Sequence, residues 1–286
     1  TRVAMIRSLL FASCLFLGYS AQAQILSNGT GGGNWSDPGT WIGGIVPDFN
    51  SGAITIQAGD QVNVDADFTI DQTTVQATAT LVIDPTFTLI IADGAGIDFT
   101  MNGTFSIEGT LVLNNTATHS GMNASNTTFV AGSEYRHLYT AAQGTIPLAT
   151  WDVASTIRVV GYTNGKTLTI GSNFNQNFGD FIWDCPSQSG IISLAGLLTS
   201  TQNLTIQNTG SSTLRLSSNE SPTISVAGNL SIVGASRVEF STTGANTEVT
   251  IQGDFIVNTT VGISRFKTSG ALCTVNVGGN FTMNAS

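Results

Sequence analysis

The 286-residue sequence predicts an all-β fold: a right-handed parallel β-helix, or β-solenoid, with about three short strands in each coil of about 25 residues. Three observations predict it. Apolar residues alternate with a period of two in short runs, as in Ala53-Ile54-Thr55-Ile56, Gln61-Val62-Asn63-Val64 and Thr110-Leu111-Val112-Leu113. Such runs, bounded by Gly, Asn and Asp, read as strands of three to six residues, and nowhere does a 3.6-residue period last for a helix length. A self-similar unit then recurs at Asp180-Phe181-Ile182-Trp183, Asn203-Leu204-Thr205-Ile206, Asn229-Leu230-Ser231-Ile232, Asp254-Phe255-Ile256-Val257 and Asn280-Phe281-Thr282-Met283, at intervals of 23, 26, 25 and 26 residues. Finally, Asn-Gly and Asp-Gly hairpin chemistry is nearly absent between neighbouring runs, with Asn164-Gly165 and Asp93-Gly94 the main candidates. An immunoglobulin-like sandwich needs hairpins throughout. The handedness follows from the general preference of parallel crossovers.

The elements follow in chain order. Residues 1–23 read as a signal peptide: Arg7, then the apolar run from Leu9 to Leu17, then Ala21-Gln22-Ala23, with cleavage expected after Ala23. The apolar run is far short of a membrane span. A lipoprotein reading would use Cys14, but the run continues past it. Export to a secreted or cell-surface location is the expectation, with no transmembrane segment in the mature chain. Residues 24–50 are expected to cap the solenoid, 51–140 to form its first section, 141–170 to connect, and 171–286 to form a second section. The chain opens at Thr1, with Met5 a candidate start, and stops at Phe281-Thr282-Met283-Asn284-Ala285-Ser286, inside an expected strand. A fragment truncated at its C-terminus is therefore expected.

Charge bounds the partners. Only 9% of residues are charged, against about 25% in an average globular domain. The net charge of −9 becomes −11 once Arg2 and Arg7 leave with the signal peptide. Nucleic acid and anionic membranes are poor partners for such a surface. The distribution is uneven: from Gln24 to Tyr135 there are eleven acidic residues and no Lys or Arg.

Within each repeat the alternating Leu, Ile, Val and Phe should fill a continuous interior. Leu204, Ile206, Leu230, Ile232, Phe255 and Val257 are expected to stack in two buried columns. The column Asn203, Asn229, Asp254, Asn280 reads as an amide ladder bonding coil to coil, or as a polar stripe for a ligand or ion. Gly179, Gly228, Gly253 and Gly279 each precede a repeat and suggest a turn of unusual φ. Cys185 and Cys273 fall in coils three apart, about 14 Å at 4.8 Å per coil. A disulfide needs Cα atoms within roughly 7 Å, so two separate thiols are expected.

The segment Gly33-Asn34-Trp35-Ser36-Asp37-Pro38-Gly39-Thr40-Trp41, with Val46-Pro47-Asp48 and Thr55-Ile56-Gln57-Ala58-Gly59, resembles the start of many exported β-helix proteins of the Bacteroidota. Tyr135-Arg136-His137 with Gly144-Thr145-Ile146-Pro147-Leu148-Ala149-Thr150-Trp151, and Phe181-Ile182-Trp183-Asp184-Cys185-Pro186-Ser187-Gln188, are similar to segments of the same large surface proteins, which end in a type IX sorting domain. The resemblance implies a tryptophan-rich cap, a parallel β-helix and surface display. It brings no catalytic residues to carry over.

Candidate chemistry is sparse. Asp60, Asp65, Asp67 and Asp71 are the densest carboxylates and raise Ca²⁺ binding, but their spacing matches no calcium loop or nonapeptide repeat, and solvated turn carboxylates are the plainer reading. Asp180 and Asp184 are expected near each other on adjacent turns. Asp254 lies about three coils from Asp180, wider than the carboxylate separations of glycosidases. Arg158, Lys166, Arg215, Arg237, Arg265 and Lys267 look scattered singly. Of the two histidines, His119 and His137, the latter reads as part of a polar loop. Trp35 and Trp41 either stack on sugar rings or cover the open end of the solenoid. No residue is assigned as catalytic, cofactor-binding or metal-ligating, and no cofactor is expected. The function expected is a structural or adhesin-like solenoid without catalytic activity, with extracellular polysaccharide or other cell surfaces as partners. The alternatives are a carbohydrate-active β-helix enzyme, of lyase or glycosidase type, and a carbohydrate-binding module.

Overall fold

A computed structural model describes residues 24–243, 246–260, 264–269 and 272–284. The expected signal peptide lies outside these residues. The strands form five sheets, and every pairing between named strands is parallel. One isolated antiparallel bridge joins Ser27 to Trp41. Among the described residues there is no α-helix, only the 3-10 turns Pro38–Thr40 and Ile170–Ser172. Asp93-Gly94 and Asn164-Gly165 lie in loops between parallel strands and make no hairpin.

One ten-stranded sheet runs through the molecule, from Phe68–Ile70 to Phe281–Met283. At about 4.8 Å per strand it spans about 43 Å. The other two walls change part-way. In the N-terminal half they are a five-stranded sheet ending at His119–Ser120 and a six-stranded sheet ending at Thr150–Trp151. In the C-terminal half two new five-stranded sheets begin at Lys166–Thr167 and Asn177–Phe178. The solenoid therefore has a seam between about residues 116 and 178, which only the long sheet crosses.

Period-two alternation builds the core, because successive side chains of a strand point to opposite faces. One inward column of the long sheet runs Phe68, Leu89, Leu111, Tyr135, Ile157, Phe181, Leu204, Leu230, Phe255, Phe281. The second runs Ile70, Ile91, Leu113, His137, Val159, Trp183, Ile206, Ile232, Val257, Met283. The six residues expected in two buried columns are there and buried. Register partners lie 21 residues apart at Phe68/Leu89 and 26 apart at Phe255/Phe281, so the coils lengthen along the chain.

The Asn column is a ladder. The Oδ1 of Asn203, Asn229 and Asp254 accepts the backbone N–H of Asn229, Asp254 and Asn280 respectively, each at 2.7 Å. Asn203 Nδ2 continues it upward, donating to Asp180 Oδ1 at 2.7 Å. The preceding glycines are not required for φ: Gly179, Gly228, Gly253 and Gly279 are absent from the positive-φ residues. Space is the reason. A Cβ on Gly228 would stand 2.2 Å from Asn203 Oδ1, and one on Gly253 would stand 2.3 Å from Asn229 Oδ1. The ladder and its glycines are one device, since the amide can reach the next coil only where no side chain intervenes.

Candidate functional site

His137 is the one titratable residue in the second inward column of the long sheet. It is fully buried on the strand Glu134–Leu138, not in a polar loop. Alternation along Glu134-Tyr135-Arg136-His137-Leu138 puts Tyr135 and His137 inward and Arg136 outward. Tyr135 Oη lies 2.9 Å from His137 Nδ1. His137 Nε2 lies 2.9 Å from the Gln143 carbonyl and 3.0 Å from Tyr162 Oη. A carbonyl only accepts, so Nε2 carries the proton and Nδ1 accepts from Tyr135. Tyr162 also donates to Gln143 O, and Tyr139 donates to Ala117 O. Burial drives the His137 pKa down to about 3 and keeps the ring neutral. Burial likewise pushes the Tyr135, Tyr139 and Tyr162 hydroxyls far above their ordinary value, so all three stay protonated donors.

This network fastens the seam loop 139–145. Lys166, on the first strand of a new sheet, donates from Nζ to the carbonyls of Thr140, Ala141 and Ala142 at 2.8, 2.9 and 3.3 Å. Its ammonium also sits 4.2 Å from the Tyr162 ring centre, a cation–π position. Four consecutive carbonyls, 140 to 143, are thus held by side chains from two coils. The loop walls a half-open cavity of about 300 Å³, lined among others by Thr118, His119, Tyr139, Gly144 and Thr145. His119 Nε2 donates to Thr145 O at 3.0 Å, and burial lowers its pKa. On the other wall of the seam, a groove of about 510 Å³ runs past Trp151, Thr150, Asn175, Gln176 and Asn177. Trp151 stacks on Phe129 at 4.0 Å and donates to Gln176 Oε1 at 3.1 Å. The arrangement can hold a crevice rigid and offer hydroxyls and amides. His137 itself has its proton committed to the backbone.

The other candidates fall elsewhere. Trp35 and Trp41 are buried edge-to-face, ring centres 4.9 Å apart, with indole N–H groups donating to Pro47 O and Trp35 O. They cover the end of the core, so the sugar-stacking alternative is overturned. Of the acidic group, Asp60 is buried and accepts from Ser27 Oγ and the N–H of Gly29 and Gly31 at 2.5–2.8 Å. Burial opposes its ionisation, but these bonds outweigh it and hold the carboxyl below its ordinary range. Asp65 accepts from Ser36 N and Oγ, and Asp67 from Thr88 N. These are backbone fasteners, not a cluster: among the described residues no group of three or more His, Cys, Asp or Glu side chains could hold a metal ion. Asp71 is buried and faces Asp98, a pairing the sequence did not reveal.

Asp180 and Asp184 lie on one strand, Asp180–Asp184, rather than on adjacent turns. The basic residues are not single. Glu134 is bridged by Arg136 at 2.9 Å and Arg158 at 2.8 Å, and Arg158 reaches Asp184 at 3.7 Å. Arg215 and Arg265 flank Glu239 at 2.6 and 3.8 Å. Arg237 donates to Ser211 O, and the Lys267 side chain lies outside the described set. The two cysteines among the described residues are free, Cys185 buried and Cys273 partly so.

No protein-family model, curated protein or solved structure matches the chain. The fold and the N-terminal tryptophan cluster thus rest on the molecule's own geometry.

Proposed function

We propose that the chain is a secreted or cell-surface solenoid whose role is structural and adhesin-like, of the kind exported by Bacteroidota through a type IX route. The observation that carries this reading is the unbroken ten-stranded parallel sheet, stitched in its C-terminal half by the Asn/Asp ladder. Such a body spaces and presents surface; its inner face is filled mainly with aliphatic and aromatic side chains. The seam groove beside Trp151, with Thr150, Asn175, Gln176 and Asn177, favours a second reading as a saccharide-binding module. Neutral amides and hydroxyls recognise sugar hydroxyls without a charge.

The test is binding of the purified chain to intact bacterial cells and to a panel of neutral and acidic polysaccharides, with product analysis of the same mixtures. Retention on cells or polysaccharide without change of the polymer supports the proposal. Release of reducing or unsaturated sugars would replace it with the carbohydrate-active enzyme reading.

A further inference from the structure

We infer that Asp71 and Asp98 form a proton-sharing clip that fastens the surface segment 93–97 to the preceding coil and loosens as pH rises. The two side chains face one another within hydrogen-bonding reach. Asp98 is fully buried and Asp71 is 9% exposed. Asp98 accepts three bonds and keeps room for a fourth: Gly94 N–H donates to Oδ1 at 2.8 Å, and Thr118 N–H and Oγ1–H donate to Oδ2 at 2.6 and 2.9 Å. Asp71 has only the neighbouring Gln72 N–H to favour its charged form, and its Oδ1 is buried with no partner. Its carboxyl lies directly under the segment, for a Cβ on Gly94 would fall 1.8 Å from Asp71 Oδ2. Two ionised carboxylates cannot share this space without a counter-charge. None is supplied locally, because no Lys or Arg occurs from Gln24 to Tyr135. The other titratable groups facing the pair are Asp93, whose charge adds to the repulsion, and the neutral Tyr139 hydroxyl. Asp71 therefore carries the proton and Asp98 the charge.

The direction of the pH effect follows. Burial, then the Asp98 contact and the charges of Asp98 and Asp93, outweigh the Gln72 N–H bond and raise Asp71 from its ordinary 3.8 to about 6. A raised carboxyl stabilises the closed segment fully below pH 3.8 and loses that effect as pH climbs to 6. Asp98 is shifted the other way: burial opposes ionisation, but the bonds from Thr118 and Gly94 outweigh it, so its own contribution is lost only below pH 3.8. Between pH 4 and 6 Asp71 decides. A shift of about two units corresponds to a change of about 100-fold in the opening equilibrium.

Amide hydrogen exchange of the whole chain, corrected for intrinsic rates, tests this at Gly94 and Thr118. Protection there is expected to fall about 100-fold between pH 4 and 6.5 and to level off above. In Asp71→Asn, whose amide donates at every pH, it is expected to stay flat. A flat wild-type profile, or the same fall in the variant, overturns the clip. Should the variant not fold, the ¹³Cγ titration of Asp71 in the wild type decides: a midpoint near 6 supports the clip, one near 4 overturns it.

Discussion

The two halves of the solenoid solve the same stacking problem with different chemistry. In the C-terminal half, coils of 23 to 26 residues are joined by an Asn/Asp ladder, and glycine clears the way for each amide. In the N-terminal half the coils are shorter, and single carboxylates do the joining: Asp60 to the cap, Asp65 to Ser36, Asp67 to Thr88, Asp98 to Thr118. Trp35 and Trp41 close the N-terminal coil. A repeated Asn/Asp column gives a regular joint, the same bond at the same position in each coil. Individually placed carboxylates give a joint tied to ionisation, in a region with no basic residue to offset them.

The largest expected effect is at the N-terminal cap. Trp35→Ala removes a fully buried ring packed on Trp41 and Phe68, and should cost about 3–5 kcal/mol in denaturant unfolding. A loss under about 1 kcal/mol would mean that these rings do not close the core.

The seam supplies a pH dependence opposite to that of the Asp71 clip. His137 has its folded pKa depressed by burial from 6.5 to about 3. Its stabilisation is complete above pH 6.5 and is lost as pH falls towards 3, on the order of a few kcal/mol in all. Unfolding midpoints should therefore drop between pH 7 and 4, and His137→Gln, which keeps a donor and an acceptor but cannot charge, should flatten that slope. An unchanged slope in the variant would assign acid sensitivity to other groups.

The repeats made the C-terminal half legible: the spacing of Phe181, Leu204, Leu230, Phe255 and Phe281 is the observed register. The role of the ladder was legible for the same reason, though its glycines serve clearance rather than φ. His137 was within reach, because Glu134-Tyr135-Arg136-His137 matches the inward-outward pattern of Thr110-Leu111-Val112-Leu113 and Thr156-Ile157-Arg158-Val159. Reading a polar residue as surface hid it. The Asp71–Asp98 pair was out of reach, since the two residues stand at different offsets from the strands that follow them, Thr73–Val75 and Phe99–Met101. The ion bridge around Glu134 needed the register of neighbouring coils, which the short and irregular N-terminal repeats do not announce, whereas the one around Glu239 follows the C-terminal register and was within reach.

A smaller effect sits in one turn used twice. Ile56 pairs with Val75, so the turns Gln57–Asp60 and Gln76–Ala79 are equivalent, each closed by a backbone bond of 3.0 Å. The third position is Gly59 at φ +85° in one and Thr78 at φ +68° in the other. A β-branched residue in the left-handed region is strained by about 1–2 kcal/mol. Thr78 is exposed and has no contact to lose. Thr78→Gly should therefore stabilise the protein by about 0.5–1 kcal/mol after the entropy of the unfolded glycine is counted, read as a higher unfolding midpoint. A loss of stability would show that the two turns are not equivalent.

The smallest effect is a difference in rate between two thiols. Cys185 is completely buried in the core beyond the seam, its Sγ 3.4 Å from Val159 O, and burial pushes its pKa up to about 12. Cys273 opens the strand Cys273–Val277 in the last coil, is only partly covered, and has its thiol pKa raised by burial alone. Alkylation needs both the thiolate and access. Under native conditions at pH 8, iodoacetamide should label Cys273 first, and slowly. Cys185 should wait for global unfolding, since its coil is covered on both sides by register partners. Digestion and mass spectrometry of a time course reads both sites, and full denaturation should give two labels per chain lacking residues 1–23. Early labelling of Cys185 would mean that its coil opens short of global unfolding.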